Sequence, residues 1–195
     1  MEKELSFLHL PNAMKHETNA TAFAIRNSQL AILVLAYGNP LRRDDGVGWV
    51  IGERLAEILP EDVADVRVLH QLTPELAEPI SRAGAVIFVD AAETCQVSEN
   101  LAGLSSALTS IPGVITWREI QPGSFTAQPF THQVDPSSLL AAAKELFGHA
   151  PPAHLLTVTG AEFGFGEGLS PALENAVEEA VKQINQFIER RRLEI

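Results

Sequence analysis

Leu30–Tyr37 reads LAILVLAY and runs directly into Gly38–Gly48, GNPLRRDDGVG. An uninterrupted apolar run bounded by turn residues marks a strand buried on both faces. Gly38-Asn39-Pro40 breaks the run, and a helical pattern begins beyond it. Val47, Val50, Ile51, Leu55, Ile58 and Leu59 recur at spacings of three and four, so they share one helix face. Pro60 closes that helix. Asp44 or Asp45 stands where a helix N-cap belongs. A doubly buried strand, a tight turn and an amphipathic helix form the opening unit of a parallel α/β sheet.

Upstream, residues 1–29 are polar and show no sustained period, and are expected to form a flexible extension ahead of a single domain at 30–195. Downstream, Val66–Leu69 is a short strand, and Pro74 starts a helix through about Arg82. Ala85–Val89 (AVIFV) is a second doubly buried strand, ending at Asp90. The Ser-rich stretch Ser98–Ile111 is a loop or a poor helix. Val114–Ile120 (VITWREI) alternates like an edge strand. Pro136 starts a helix with Leu139, Leu140, Ala143 and Leu146 inward, and His154–Thr159 is another strand. Ser170-Pro171 caps a final helix whose apolar stripe is Leu173, Val177, Ala180, Val181, Ile184, Phe187 and Ile188. Arg190-Arg191-Arg192 complements the dipole at its end. Strands alternating with helices predict a three-layer α/β fold around a mostly parallel sheet.

Composition narrows the function classes. The chain has 195 residues, 46% hydrophobic and 20% charged, which fits one globular domain. A net charge of −11 argues against nucleic acid and against an anionic membrane surface as partners. Cys95 is the single cysteine, so an intramolecular disulfide and an all-cysteine metal site are excluded. No apolar run approaches the roughly 20 residues that span a bilayer, and no secretory signal is evident, so the expected location is the cytoplasm. The chain has no GxGxxG, P-loop lysine, GxSxG, HExxH or CxxC motif.

In parallel α/β sheets, ligands bind beyond the carboxyl ends of the strands. Asp45 lies in the turn after the first strand, and Asp90 ends the AVIFV strand, so both belong to that edge. Two carboxylates there can bind a cation, or share a proton and position a water. His132, just ahead of a predicted helix, can bring an imidazole to the same edge, completing a ligand set that suits nickel or zinc. The plainer readings are a helix cap for Asp45 and an ordinary loop residue for His132. Asp90 needs a partner or water in either case. The backbone amides of Gly38-Asn39-Pro40 can hold an anion.

The block Gly38–Gly48 resembles the nickel–iron hydrogenase maturation proteases, which carry a G-N-x-L-x-x-D-(D/E)-G-x-G-like motif directly after their first strand. Three further stretches match: Ile87-Phe88-Val89-Asp90-Ala91, His132-Gln133-Val134, and Gly160-Ala161-Glu162 followed by Gly168-Leu169-Ser170-Pro171. The resemblance covers about Leu30 to Ile188. It implies a phosphorylase/hydrolase-like three-layer α/β/α fold, with a five-stranded mixed sheet whose one antiparallel strand is VITWREI. It also implies an aspartic-type endopeptidase that removes a C-terminal tail from the nickel-loaded large-subunit precursor of a hydrogenase. Asp45, Asp90 and His132 would contact nickel supplied by that substrate rather than by a permanent cofactor, with Asp45 and Asp90 catalytic and Gly38 and Asn39 binding substrate. His70–Glu75 (HQLTPE) stands where better-known members have a Gly-Gly-Thr-like segment, and Phe163 replaces a usual proline. Two other functions fit the same residues: a nickel-dependent binding or chaperone protein that does not cleave, and a related-fold peptidase with another protein substrate.

Overall fold

The computed structural model describes residues 32–93, 111–124 and 134–193. The expectations for residues 1–29, Cys95, 98–110 and His132 lie outside the described residues. The apolar runs form β1 (Ile32–Tyr37), β2 (Ala64–Leu69), β3 (Ala85–Ala92), β4 (Ile115–Ile120) and β5 (Ala153–Thr159). They join in one sheet in the order β2-β1-β3-β5-β4. All neighbours pair in parallel except β4, the VITWREI strand, which runs antiparallel along β5 at the edge. The helices are α1 (Val47–Ile58), α2 (Ala77–Arg82), α3 (Pro136–Phe147) and α4 (Pro171–Leu193). Short 3-10 turns at Arg43–Gly46 and Pro74–Leu76 lead into α1 and α2.

The sheet is buried on both faces, as the continuous apolar runs require. Alternate residues of β1 (Ile32, Val34, Ala36) and β3 (Ile87, Val89) pack with Val47, Ile51 and Leu55 of α1 and with the stripe of α4. The intervening residues (Leu33, Leu35, Val86, Phe88) pack with α2 and α3 on the other face. The result is the expected three-layer α/β/α fold. Two helix positions differ from the periodic reading. Ile58 and Leu146 are 54% and 61% exposed. Each lies in the closing turn of its helix. α3 is twice the length of the α2 it packs against, so its last turn lacks a cover.

The topology locates a crevice. From β1 the chain passes to β2 on one side and then returns to β3 on the other, so the strand order reverses between β1 and β3. α1 follows β1 on one face and α2 leads into β3 on the other, and the carboxyl ends of the strands at such a reversal are where a parallel α/β sheet has its ligand crevice. Among the described residues, no helix is long and apolar enough to cross a membrane.

Candidate active site

The turn after β1 folds back tightly on itself. Gly38 has φ +151°, and a Cβ there would lie 2.0 Å from the Asp45 carbonyl oxygen, so only glycine fits. A Cβ on Gly48 would lie 2.2 Å from the Tyr37 carbonyl oxygen and 2.7 Å from that of Val89. The start of α1 therefore rests directly on the ends of β1 and β3. The Arg43–Gly46 turn touches β3. The glycines of the motif thus bring the turn that carries Asp44 and Asp45 against the strand that ends near Asp90.

Neither aspartate caps α1, contrary to the local reading of the sequence. The N-cap position is Gly46, with no side-chain hydrogen bond. Asp44 is completely buried. Its carboxylate accepts from the backbone N–H groups of Ala161 (2.8 Å), Glu162 (2.9 Å) and Ser170 (2.7 Å), and from the Ser170 hydroxyl (3.0 Å). Its own N–H donates to the Glu162 carbonyl at 3.0 Å. Burial alone would raise the pKa of Asp44, but these hydrogen bonds outweigh it and hold the carboxyl below its ordinary value. Asp44 ties the β1 turn to the chain between β5 and α4. Ser170 therefore spends its hydroxyl on Asp44, and its carbonyl accepts from Leu173 and Glu174 as α4 begins.

Asp45 is half-buried, and its negative charge is felt at Asp90. Its Oδ2 accepts only a long bond from the Asn39 N–H, 3.3 Å, among the hydrogen bonds of the described residues. Asp90 is also half-buried, and its Oδ1 accepts from the Ala91 N–H at 2.8 Å. Burial pushes the pKa of Asp90 up to about 6, with the neighbouring Tyr37 hydroxyl and the Ala91 N–H opposing the rise and the nearby negative charge of Asp45 adding to it. Tyr37 is driven well above its ordinary value, first by burial and then by Asp90, so the phenol keeps its proton. A carboxyl near 6 can exchange protons at neutral pH, as a general acid or base must.

The structure thus brings Asp45 and Asp90 to one edge within electrostatic reach. Gly38 and Asn39 flank them, but the Gly38 N–H already donates to the Leu69 carbonyl (3.1 Å) and the Asn39 N–H to Asp45. An anion at this turn would compete with those acceptors. Among the described residues, no three His, Cys, Asp or Glu side chains cluster closely enough to hold a metal ion. The chain re-enters the described region at Val134, which packs on the same core as Tyr37 and Leu69, and Asp135 caps α3 through the Ser138 N–H at 3.0 Å. A separate groove of about 340 Å³ between α1 and α4, lined by Val50, Arg54, Leu169, Glu174, Val177 and Glu178, contains neither site carboxylate.

Sequence reasoning missed two members of this arrangement. The role of Asp44 carries no local signal, because its partners lie 117 to 126 residues away. Tyr37 did carry one. It is the only residue of the apolar run with a polar tip, and a buried phenol needs a hydrogen-bond partner.

No family model and no curated protein matches the chain. Solved structures do. A hydrogenase-maturating endopeptidase of Escherichia coli aligns over 82% of this chain and 93% of its own, with TM-score 0.59 and 23% identity. A nickel–iron hydrogenase maturation protease of Thermococcus kodakarensis aligns over the same shares, with TM-score 0.58 and 19% identity. A further Escherichia coli endopeptidase, 25% identical, covers 79% of this chain and 89% of its own at TM-score 0.59. The chain has the fold of these endopeptidases.

Proposed function

We propose that this protein belongs to the hydrogenase maturation protease family and is an endopeptidase that removes the C-terminal tail of a nickel-loaded hydrogenase large-subunit precursor. The observation that carries this reading is the pairing of Asp45 and Asp90 at the strand-order reversal, within a fold shared with such endopeptidases. Peptide hydrolysis needs a polarised carbonyl, an activated water and a proton for the leaving amine. Asp90, with its pKa near 6, is suited to take a proton from water and return it to the amine. Asp45, poorly supplied with donors, keeps lone pairs free. His132, outside the described residues, would complete with the two carboxylates a hard-to-borderline donor set suited to contacting nickel already seated in the substrate. Nickel is then part of what is recognised. The proposed setting is the cytoplasm.

The test is incubation of the purified protein with nickel-loaded and nickel-free large-subunit precursor, read by intact mass. Tail loss only from the nickel-loaded form supports the proposal, and Asp45→Asn and Asp90→Asn should each reduce that loss at least a hundredfold. Binding to the loaded form without tail loss would point to a chaperone. Cleavage of both forms alike would point to a peptidase that does not read nickel.

A further inference from the structure

The loop between β5 and α4 is strapped to the motif turn, and the strap presents two apolar side chains to solvent. Arg42 and Gly166 form an isolated parallel bridge. In it the Gly166 N–H donates to the Leu41 carbonyl and the Arg43 N–H to the Gly166 carbonyl, both at 3.0 Å. The residues that precede the bridged pair, Leu41 and Phe165, therefore stand level with each other. Leu41 is 56% exposed and Phe165 92%. The Arg42 guanidinium donates to the Phe163 carbonyl at 3.2 Å, and Arg43 pairs with Glu162 at 3.1 Å. Arg43 adopts a left-handed φ of +50° within the strap. The Asp44 carboxylate holds the same loop at Ala161 and Glu162 on one side of Phe165 and at Ser170 on the other.

The protein's own core explains neither side chain. A phenylalanine almost wholly in water adds little to folding, yet the loop beneath it is anchored on both sides. Ile58, Leu146 and Leu193 are exposed too, but each lies in the closing turn of a helix at the opposite edge of the sheet. Leu41 and Phe165 lie at the carboxyl edge, and Asn39 connects them to the site. Its side-chain oxygen accepts from the Leu41 N–H at 3.0 Å, and its own N–H donates to Asp45 at 3.3 Å. A chain cut at Asp45 and Asp90 therefore passes beside this apolar pair.

We propose that Leu41 and Phe165 form the docking surface for the protein substrate, taking an apolar segment of the large-subunit precursor next to its tail. The choice of occupant rests on the peptidase reading above, whereas the preformed apolar surface does not. Because the loop is anchored before the partner arrives, docking orders little backbone, and the apolar burial goes into affinity. The pair sets affinity for the precursor, and the carboxylates set the rate.

Phe165→Asp in the full-length protein keeps the strap, whose bonds at this point belong to Gly166 and the two arginines. Kd for nickel-loaded large-subunit precursor is measured by biolayer interferometry in an Asp90→Asn background, so that the tail stays on. It should rise at least about tenfold, the effect of removing an interface anchor. KM for tail removal in the otherwise wild-type protein should rise likewise, with kcat within about twofold and the melting temperature within about two degrees. Leu41→Ser should act in the same direction, less strongly. Leu146→Ser, which removes an apolar side chain exposed at the far edge, should leave Kd and KM unchanged. An unchanged Kd in Phe165→Asp overturns the proposal, and so does an equal loss in Leu146→Ser, which would mean non-specific adhesion. A Phe165→Asp protein that loses self-association in sedimentation but binds precursor normally assigns the surface to a second copy of this chain, and overturns the proposal as well. Binding that depends on Phe165 in a protein whose wild type trims no tail supports the docking surface and removes the peptidase reading instead.

Discussion

Asp44 and Asp45 are adjacent in the chain and occupy one turn, yet they belong to different regions of the molecule. Asp44 lies in a closed knot with Ala161, Glu162 and Ser170, where four donors meet one carboxylate. Asp45 stands near Asp90, where two carboxylates share few donors. The Asp44 carboxyl is held below its ordinary value and that of Asp90 is raised to about 6. Burial raises both; four donors outweigh it at Asp44, whereas at Asp90 fewer donors and the neighbouring Asp45 charge leave the carboxyl raised. A buried carboxylate saturated with hydrogen bonds is a structural tie. One left short of them is available for chemistry.

The largest effect on stability should come from breaking the tie. Asp44→Ala leaves three backbone N–H groups and a hydroxyl without their acceptor in a closed environment, a loss of about 3–5 kcal/mol by chemical denaturation. Because the folded pKa of Asp44 is depressed, its contribution is complete above the unfolded value near 4 and is lost as pH falls through the folded one. The wild type should therefore lose stability on acidification below about pH 4, and the variant should show a flatter acid limb. A variant as stable as the wild type would break the distinction between the two regions.

Asp90 should behave with the opposite sign and a smaller magnitude. Its folded pKa, about 6, lies above the unfolded value, so folding favours the protonated form. That contribution is complete below about pH 4 and is lost as pH rises through 6. Asp90→Asn removes the charge for which the burial is unfavourable. At pH 8 it should raise stability by about 1–3 kcal/mol, a gain that shrinks toward pH 4. Paired denaturation curves at the two pH values check this, and equal effects at both would contradict the raised pKa.

The smallest effect on stability belongs to Asp45→Asn. Asp45 caps no helix and accepts one long bond, so the melt should move by less than about 0.5 kcal/mol equivalent. The sharper readout is Asp90. Without the Asp45 charge its carboxyl titration, followed by carbon NMR, should move down from about 6. A stationary Asp90 would show that the two carboxylates do not communicate.

Much of this could be read from the chain alone. Apolar runs at β1 and β3, alternation at β4 and the stripe of α4 follow directly from periodicity, because burial on one or two faces leaves a local pattern. The positions of Asp45 and Asp90 at strand ends follow from the same runs, since the carboxyl edge of a parallel sheet is where such residues must lie. Spacing alone could not separate Asp44 from Asp45. Both are acidic, both precede a helix, and the cap reading suits either. Only the tertiary structure decided between them, by bringing the loop between β5 and α4 over one carboxylate and leaving the other open. The same holds for Tyr37, whose place beside Asp90 is set by strand register between β1 and β3, and for Ile58 and Leu146, whose exposure depends on what covers the last turn of a helix. Local sequence specifies which groups are apolar and which elements they form. Which donor meets which carboxylate depends on contacts between segments more than a hundred residues apart, and no local pattern encodes them.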